Sequence, residues 1–220
     1  MKKIEKRHFR SGLLLLGLFA LWTLLIRTVD VQPAGQSGTP VGFATLNSCF
    51  HALTGVHMTL YHITDWLGLV PVFICMIFGA VGFVQLIRRK SLLRVDFDLI
   101  TLGFYYVAVI GCYLVFEMIP LNYRPILIGG RLEASYPSST TLLVLSVMPT
   151  LAFQADRRLG SDAAKTSIRR FTVFFSAFMV IGRLISGVHW LTDIVGSLFL
   201  SFGLFCIYKA LVLHHCSGRS

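Results

Sequence analysis

Apolar residues are gathered along this chain into six long runs, at 11–26, 66–87, 97–119, 138–154, 171–185 and 191–213, each bounded by charge or proline. A helix needs roughly 20 residues to cross a bilayer core, and all six runs come near that length. They are rich in Leu, Phe, Val and Ile all round and show no alternation of period two. That pattern predicts helices in lipid rather than the strands of an outer-membrane barrel. The fourth and fifth runs carry the weaker signal.

Composition points the same way. Hydrophobic residues make up 55% of the 220 residues, and the mean hydropathy of +0.73 exceeds what a soluble domain of this size would bury. The predicted class is all-α: a polytopic membrane protein with six transmembrane helices in one bundle. Residues 1–10 form a basic cytoplasmic tail and 11–213 the membrane domain, with an extracytoplasmic segment at 27–65. Residues 214–220 form a second cytoplasmic tail.

The net charge of +10 raises nucleic acid as a partner until its placement is read. It falls on alternate loops. Lys2, Lys3, Lys6, Arg7 and Arg10 precede the first run; Arg88, Arg89, Lys90 and Arg94 follow the second; Arg157, Arg158, Lys165, Arg169 and Arg170 follow the fourth; Lys209 and Arg219 close the chain. By the positive-inside rule these segments are cytoplasmic, leaving Arg27, Arg124, Arg131 and Arg183 on the other side. The basic excess therefore reads as topology and contact with anionic membrane lipids, not nucleic-acid binding.

The basic start followed by Leu13 to Ile26 has the outline of a signal peptide, but no small-x-small cleavage site follows. It is read as a retained first helix, since its loss would leave an odd number of spans. Cys49, Cys75, Cys112, Cys206 and Cys216 show no paired metal spacing and read as packing residues. In the outer segment, His51, His57 and His62 are spaced by six and five, which does not put all three on one helix face. That segment reads as an interfacial helix or lid, with a metal site as the alternative.

Six spans bring the third-to-fourth and fifth-to-sixth connections to the same, outer face, and the unusual polar residues all fall there. Glu117, Asn122, Arg124, Arg131 and Glu133 lie on the first, with Ser138, Ser139, Thr140 and Thr141 opening the next helix; Arg183, His189 and Asp193 lie on the second. Ionisable groups at a membrane edge are expensive and usually functional, although some pair only to tie helices together. Two arginines, a histidine and a carboxylate make an anion site with a nucleophile in it.

Arg124-Pro125, Pro137-Ser138 and Arg183-x5-His189-x3-Asp193 resemble the three signature motifs of the type 2 phosphatidic acid phosphatase (PAP2) superfamily. Its pattern is Lys-x6-Arg-Pro, Pro-Ser-Gly-His and Ser-Arg-x5-His-x3-Asp, on a six-helix core in its membrane branch. The resemblance implies a phosphohistidine intermediate on His189, later hydrolysed by water, with no metal and no cofactor. Physical chemistry supports those roles. Arg124 and Arg183 each present a planar fork of donors to phosphate oxygens. Ser138 and Ser139 stand at a helix start, where a side chain caps and backbone N–H groups face an anion. His189 and Asp193 share a face if the last helix begins by Val188, so that the carboxylate fixes the imidazole tautomer.

Three departures from the family pattern bear on chemistry. Glu117 replaces the first-motif lysine, Ser139-Thr140 replace Gly-His, and Gly182 precedes Arg183. Arg131 is a candidate substitute cation, within a possible network of Glu117, Glu133, Arg124 and Arg131. In the family the missing histidine protonates the leaving group and activates water, which Thr140 cannot do near neutral pH; Glu133 is a candidate replacement. A phosphate monoester with a pKa of about 6 leaves without a proton, whereas an alkoxide does not. The expected activity is therefore a lipid phosphate or diphosphate phosphatase, with undecaprenyl diphosphate or a related prenyl or phospholipid phosphate as substrate, on the outer face of a bacterial plasma membrane. A lipid phosphotransferase and a non-catalytic lipid-phosphate binder are the alternatives. No paired broken helices or internal repeat point to a transporter.

Overall fold

The computed structural model describes residues 3–217; Lys2 and Arg219, both counted in the inner-face charge, lie outside them. Among the described residues the fold is helical, with isolated bridges but no strands. The helices are α1 (Lys3–Thr28), α2 (Ala44–Thr54), α3 (Met58–Leu67), α4 (Leu69–Arg89), α5 (Phe97–Met118), α6 (Ser139–Arg158), α7 (Asp162–Ile185) and α8 (Leu191–Ser217). Each of the six apolar runs is largely helical, and the basic start of the chain is helical too.

The expected count of six membrane helices is not the whole helix count: eight α-helices form among the described residues, because the 27–65 segment holds two more, and α3 continues almost directly into α4 at Gly68. Among the described residues, four segments are long and apolar enough to cross a membrane by length and composition: Lys3–Thr28, Met58–Arg89, Phe97–Met118 and Leu191–Ser217. Helices α6 and α7 are not among them, for different reasons. Helix α7 opens with a charged turn sequence, Asp162 to Arg170. Helix α6 is buried along much of its length by neighbouring helices, so it tolerates polar residues that lipid would not. Its Gln154 donates to the Tyr208 hydroxyl at 2.7 Å, Thr150 bonds the Tyr106 hydroxyl at 2.7 Å, and the Ser146 carbonyl accepts from Tyr105 at 2.9 Å.

Around α6 two apolar clusters form the core. Leu99, Leu102, Tyr105 and Val109 of α5 pack with Leu142, Leu200, Tyr208 and Val212. Ile74 of α4 packs with Val144, Val147, Met148 and Met179. Large side chains such as Phe73, Phe83, Phe104, Val107 and Phe174 remain exposed on the outer helices, an apolar surface that suits lipid and not water. Helices α1 and α8 run closely together. A Cβ on Gly12 would stand 2.7 Å from Ile207 Cδ1, and one on Gly203 2.9 Å from Leu16 Cδ2, so small residues set this approach, as is common between membrane helices.

A charged clasp closes the end opposite the candidate site. Arg158 reaches Asp98 at 2.9 Å and Asp96 at 3.2 Å, Arg157 reaches Asp98 at 3.3 Å, and Arg89 reaches Asp96 at 2.7 Å. At the same end His214 lies 3.3 Å from Glu5. The connections α5–α6 and α7–α8 then fall together at the other end of the bundle.

Candidate active site

The α5–α6 connection folds back on itself as a short hairpin, with antiparallel bridges at Tyr123–Ala134 and Ile128–Arg131 and left-handed Gly129 and Gly130 at its tip. Backbone bonds from Arg124 N–H to the Glu133 carbonyl, 3.0 Å, and from Ser135 N–H to the Asn122 carbonyl, 2.9 Å, hold the hairpin shut. This ladder places Arg124 facing inward, buried to 8% exposure.

The α7–α8 connection is a tight turn. Gly187 adopts φ +71°, and a Cβ there would fall 2.0 Å from the Gly55 carbonyl oxygen. Only glycine suits both the left-handed backbone and the close approach of the α2–α3 link. Two bonds lock the turn to that link: His57 N–H to the Ser186 carbonyl, 3.0 Å, and His51 Nε2 to the Gly187 carbonyl, 3.1 Å. His51, His57 and His62 go their separate ways: His57 bonds the Thr54 carbonyl and His62 packs on Tyr61. No group of three His, Cys, Asp or Glu side chains that could hold a metal occurs among the described residues.

Helix α8 begins at Leu191, not by Val188, so His189 precedes the helix and does not share a helical face with Asp193. The two meet by another route. Asp193 Oδ2 accepts the Trp190 N–H at 2.9 Å, capping the first turn, and lies 3.6 Å from His189 Nδ1. The Ser135 carbonyl also faces the ring, and the Ser135 and Asn122 side chains lie close to the Asp193 carboxylate.

On the opposite side of the ring, Arg183 Nη2 is 3.2 Å from His189 Nε2. A guanidinium has no lone pair to offer, so it donates and Nε2 accepts; the proton of a neutral imidazole then sits on Nδ1, toward Asp193. Burial, reinforced by the charges of Arg124 and Arg183, pushes the His189 pKa well below the usual histidine value. The ring is thus neutral, with its Nε2 lone pair held by Arg183.

Arg183 is 1% exposed, with its guanidinium 4.9 Å from the Tyr61 ring centroid and its Nη1 3.6 Å from Asp65 Oδ1. Arg183 Nε and Nη1, and Arg124 Nε and Nη1, are buried without an aligned hydrogen-bond partner. Arg124 Nε stands 3.1 Å from Glu133 Oε2, an ion pair in distance only. Each guanidinium thus has one carboxylate nearby yet keeps buried N–H groups without an aligned acceptor, donors that an anion could take up, since an unsatisfied charged group costs more than an ordinary lost hydrogen bond.

The other candidates distribute themselves around this centre. Ser138 is fully buried; its hydroxyl donates to Thr141 at 3.1 Å and its N–H to the Asp193 carbonyl at 3.3 Å, so it ties α6 to α8. Ser139, Glu117, Glu133 and Arg124 line a polar cavity of about 230 Å³. Ser139 and Thr140 also line an apolar cleft of about 450 Å³ between α4, α5 and α6. Arg131 does not join the expected salt-bridge network. It lies exposed at the hairpin tip, where its backbone exchanges bonds with Ile128, and no ion pair links it to Glu117 or Glu133 among the described residues. Asp65, Tyr61 and Ser135 also surround the site, although none of them stands in a motif, and Asn122, one of the polar residues of the α5–α6 connection, lies there too.

The pattern of the PAP2 superfamily matches residues 99–215, over half of the chain and all three motifs. The chain belongs to the PAP2 superfamily. Its PAP2 match spans α5 to α8, so α1 to α4, with Asp65 and Tyr61, lie outside it. Among solved structures, a similar one is the crystal structure of the first transmembrane PAP2 type phosphatidylglycerolphosphate phosphatase from Bacillus subtilis. It shares 17% identity at a TM-score of 0.64, over 96% of this chain and 98% of that chain. This likeness, at that identity, shows a shared fold, and together with its own long apolar helices the chain reads as a multi-pass membrane protein. No curated protein sequence is significantly similar to it.

Proposed function

We propose that this PAP2 protein is a lipid phosphate or diphosphate phosphatase of a bacterial plasma membrane, crossing it six times and acting at the outer face through a phosphohistidine. The observation that carries this reading is the arrangement of Arg183, Arg124 and His189. Two buried guanidinium groups hold N–H donors without aligned hydrogen bonds beside an imidazole whose accepting nitrogen is 3.2 Å from one of them.

A phosphate entering between the arginines takes those donors and draws Arg183 Nη2 off His189 Nε2, which frees the Nε2 lone pair to face phosphorus. Nε2 forms the P–N bond while the bond from phosphorus to the lipid-side oxygen breaks. The forks neutralise the charge spread over the three equatorial oxygens. As the ring gains charge, Asp193 stabilises it through Nδ1–H. Water later cleaves the P–N bond. In this scheme Ser139 contributes a backbone N–H at the start of α6, and Ser138 holds that helix start against α8.

Thr140 and the leaving group decide the substrate class. Without a proton donor at the second-motif position, a diphosphate, whose leaving group is a phosphate monoester, reacts more readily than a lipid whose leaving group is an alkoxide. The apolar cleft beside Ser139 and Thr140 is suited to the first carbons of a prenyl chain. Thr140 and Glu117 also favour the alternatives, a phosphotransferase or a non-catalytic lipid-phosphate binder.

Phosphate release by the purified protein in detergent with EDTA, from prenyl diphosphate, prenyl phosphate and phosphatidate, tests the proposal. Release fastest from the diphosphate and absent from His189→Ala is expected. Acceptor-dependent turnover would instead identify a transferase, and tight binding of folded protein without release a lipid-phosphate binder.

A further inference from the structure

Thr140 leaves the acid-base role of the second motif unfilled, and the fold brings a carboxylate to that place from outside the PAP2-matched segment. Asp65, at the end of α3, has Oδ1 3.6 Å from Arg183 Nη1, while Nη2 of the same guanidinium is 3.2 Å from His189 Nε2. One planar group therefore spans Asp65 and the imidazole. Asp65 is half exposed, with its side chain at 54%, so water reaches it. It is also the one carboxylate among the described residues lining the apolar cleft, together with Ser139 and Thr140. Glu117 and Glu133 line the separate polar cavity, and Glu133 is drawn to Arg124.

In-line displacement at phosphorus has two apical positions. His189 Nε2 takes one; the lipid oxygen departs from the other, and water later enters there. A lipid whose chain lies in the apolar cleft puts that second position on the cleft side. A group that deprotonates the water must line the cleft and lie within one guanidinium of His189. Asp65 meets both conditions, whereas the Thr140 hydroxyl is no base.

Resting on the phosphohistidine reading above, we infer that Asp65 is the general base of the second half-reaction. Before substrate arrives its carboxylate lies against Arg183. A phosphate claims Arg183 Nη1 and releases Asp65 toward the apical position. In the first half-reaction the lipid-side oxygen leaves with its electron pair as a phosphate monoester anion and needs no proton. In the second, the water oxygen bonds to phosphorus, its proton passes to the Asp65 carboxylate, and the P–N electron pair returns to Nε2. Asp65 then gives the proton to solvent.

The test uses farnesyl diphosphate radiolabelled at its terminal phosphate, mixed rapidly with the full-length protein in detergent. The inference predicts that Asp65→Asn becomes labelled as fast as wild type, to about one phosphate per chain, while steady-state phosphate release falls about 100-fold or more. Asp65→Glu, which keeps a carboxylate, restores part of that release. The inference is overturned if Asp65→Asn turns over like wild type, or if labelling and release fall in equal proportion in folded protein. It is also overturned if Glu133→Gln, and not Asp65→Asn, accumulates label. Wild type that neither labels nor releases phosphate overturns the phosphatase reading itself, a failure separate from any confined to the Asp65 variants.

Discussion

The side chains of Arg183 and His189 meet at 3.2 Å, guanidinium Nη2 to imidazole Nε2, in a pocket where both are almost wholly buried. Burial first, and then the charges of Arg124 and Arg183, keep His189 neutral, and its Nε2 lone pair accepts from Arg183, the cation proposed to bind the phosphate.

Asp193 faces Nδ1 from 3.6 Å and accepts the Trp190 N–H. Asp193→Asn can keep the Trp190 bond through its amide oxygen but cannot stabilise a charged ring. Phosphate release should fall about 10³- to 10⁴-fold with little change in KM. A fall of less than tenfold would make Asp193 a structural cap alone.

Arg124 and Arg183 act as forks, not merely as charges. Replacing either by lysine keeps the charge and removes the second donor; kcat/KM for the preferred lipid should fall about 100-fold in each case. Salt should not rescue the loss, since the groups are buried. Unchanged kinetics in Arg124→Lys would place the phosphate away from the hairpin.

Gly187 holds the turn that presents His189. In Gly187→Ala the left-handed backbone at φ +71° and the 2.0 Å approach to the Gly55 oxygen must both give way. Backbone strain alone costs about 1–3 kcal/mol. A lowered thermal midpoint in detergent and a lowered kcat are expected together, and a midpoint equal to wild type would show that the turn relaxes freely.

Asp96 titrates the clasp at the other end. A hydrogen bond from Arg89 holds its carboxyl at about 2, with Gln85 and Arg158 adding to it. Its folded value lies below the unfolded one, so its stabilisation is full above about pH 4. It is lost as pH falls through about 2. The thermal midpoint of wild type should exceed that of Asp96→Asn by a constant margin above pH 5, and the margin should close between pH 4 and 2. A margin independent of pH would remove the charge from the explanation.

The physical origin of each feature governs how far the sequence discloses it. The runs that became α1, α4, α5 and α8 are legible because lipid demands apolar residues on every face. Helix α6 signals weakly because its Thr150 and Gln154 side chains are satisfied by Tyr106 and Tyr208 on other helices, a pairing that no local window contains. Arg124, Arg183, His189 and Asp193 stand out as polar residues at membrane ends. The start of α8 coincides with the start of its apolar run at Leu191, but the condition for His189 and Asp193 to share a helical face, a start by Val188, is not met: the left-handed turn at Gly187 packs on the Gly55 backbone, far away in sequence. Asp65 escapes notice for a similar reason: only the packing of α3 on α7 brings it to Arg183.

The most direct measurement is to identify the residue that carries covalent phosphate during turnover. The protein is quenched in alkali, which preserves a phosphohistidine, after mixing with prenyl diphosphate, and the peptide is mapped by mass spectrometry. The account predicts phosphate on His189, stable in alkali, labile in acid and absent from His189→Ala. Phosphate release without any modified histidine, or with phosphate on another side chain, would contradict it.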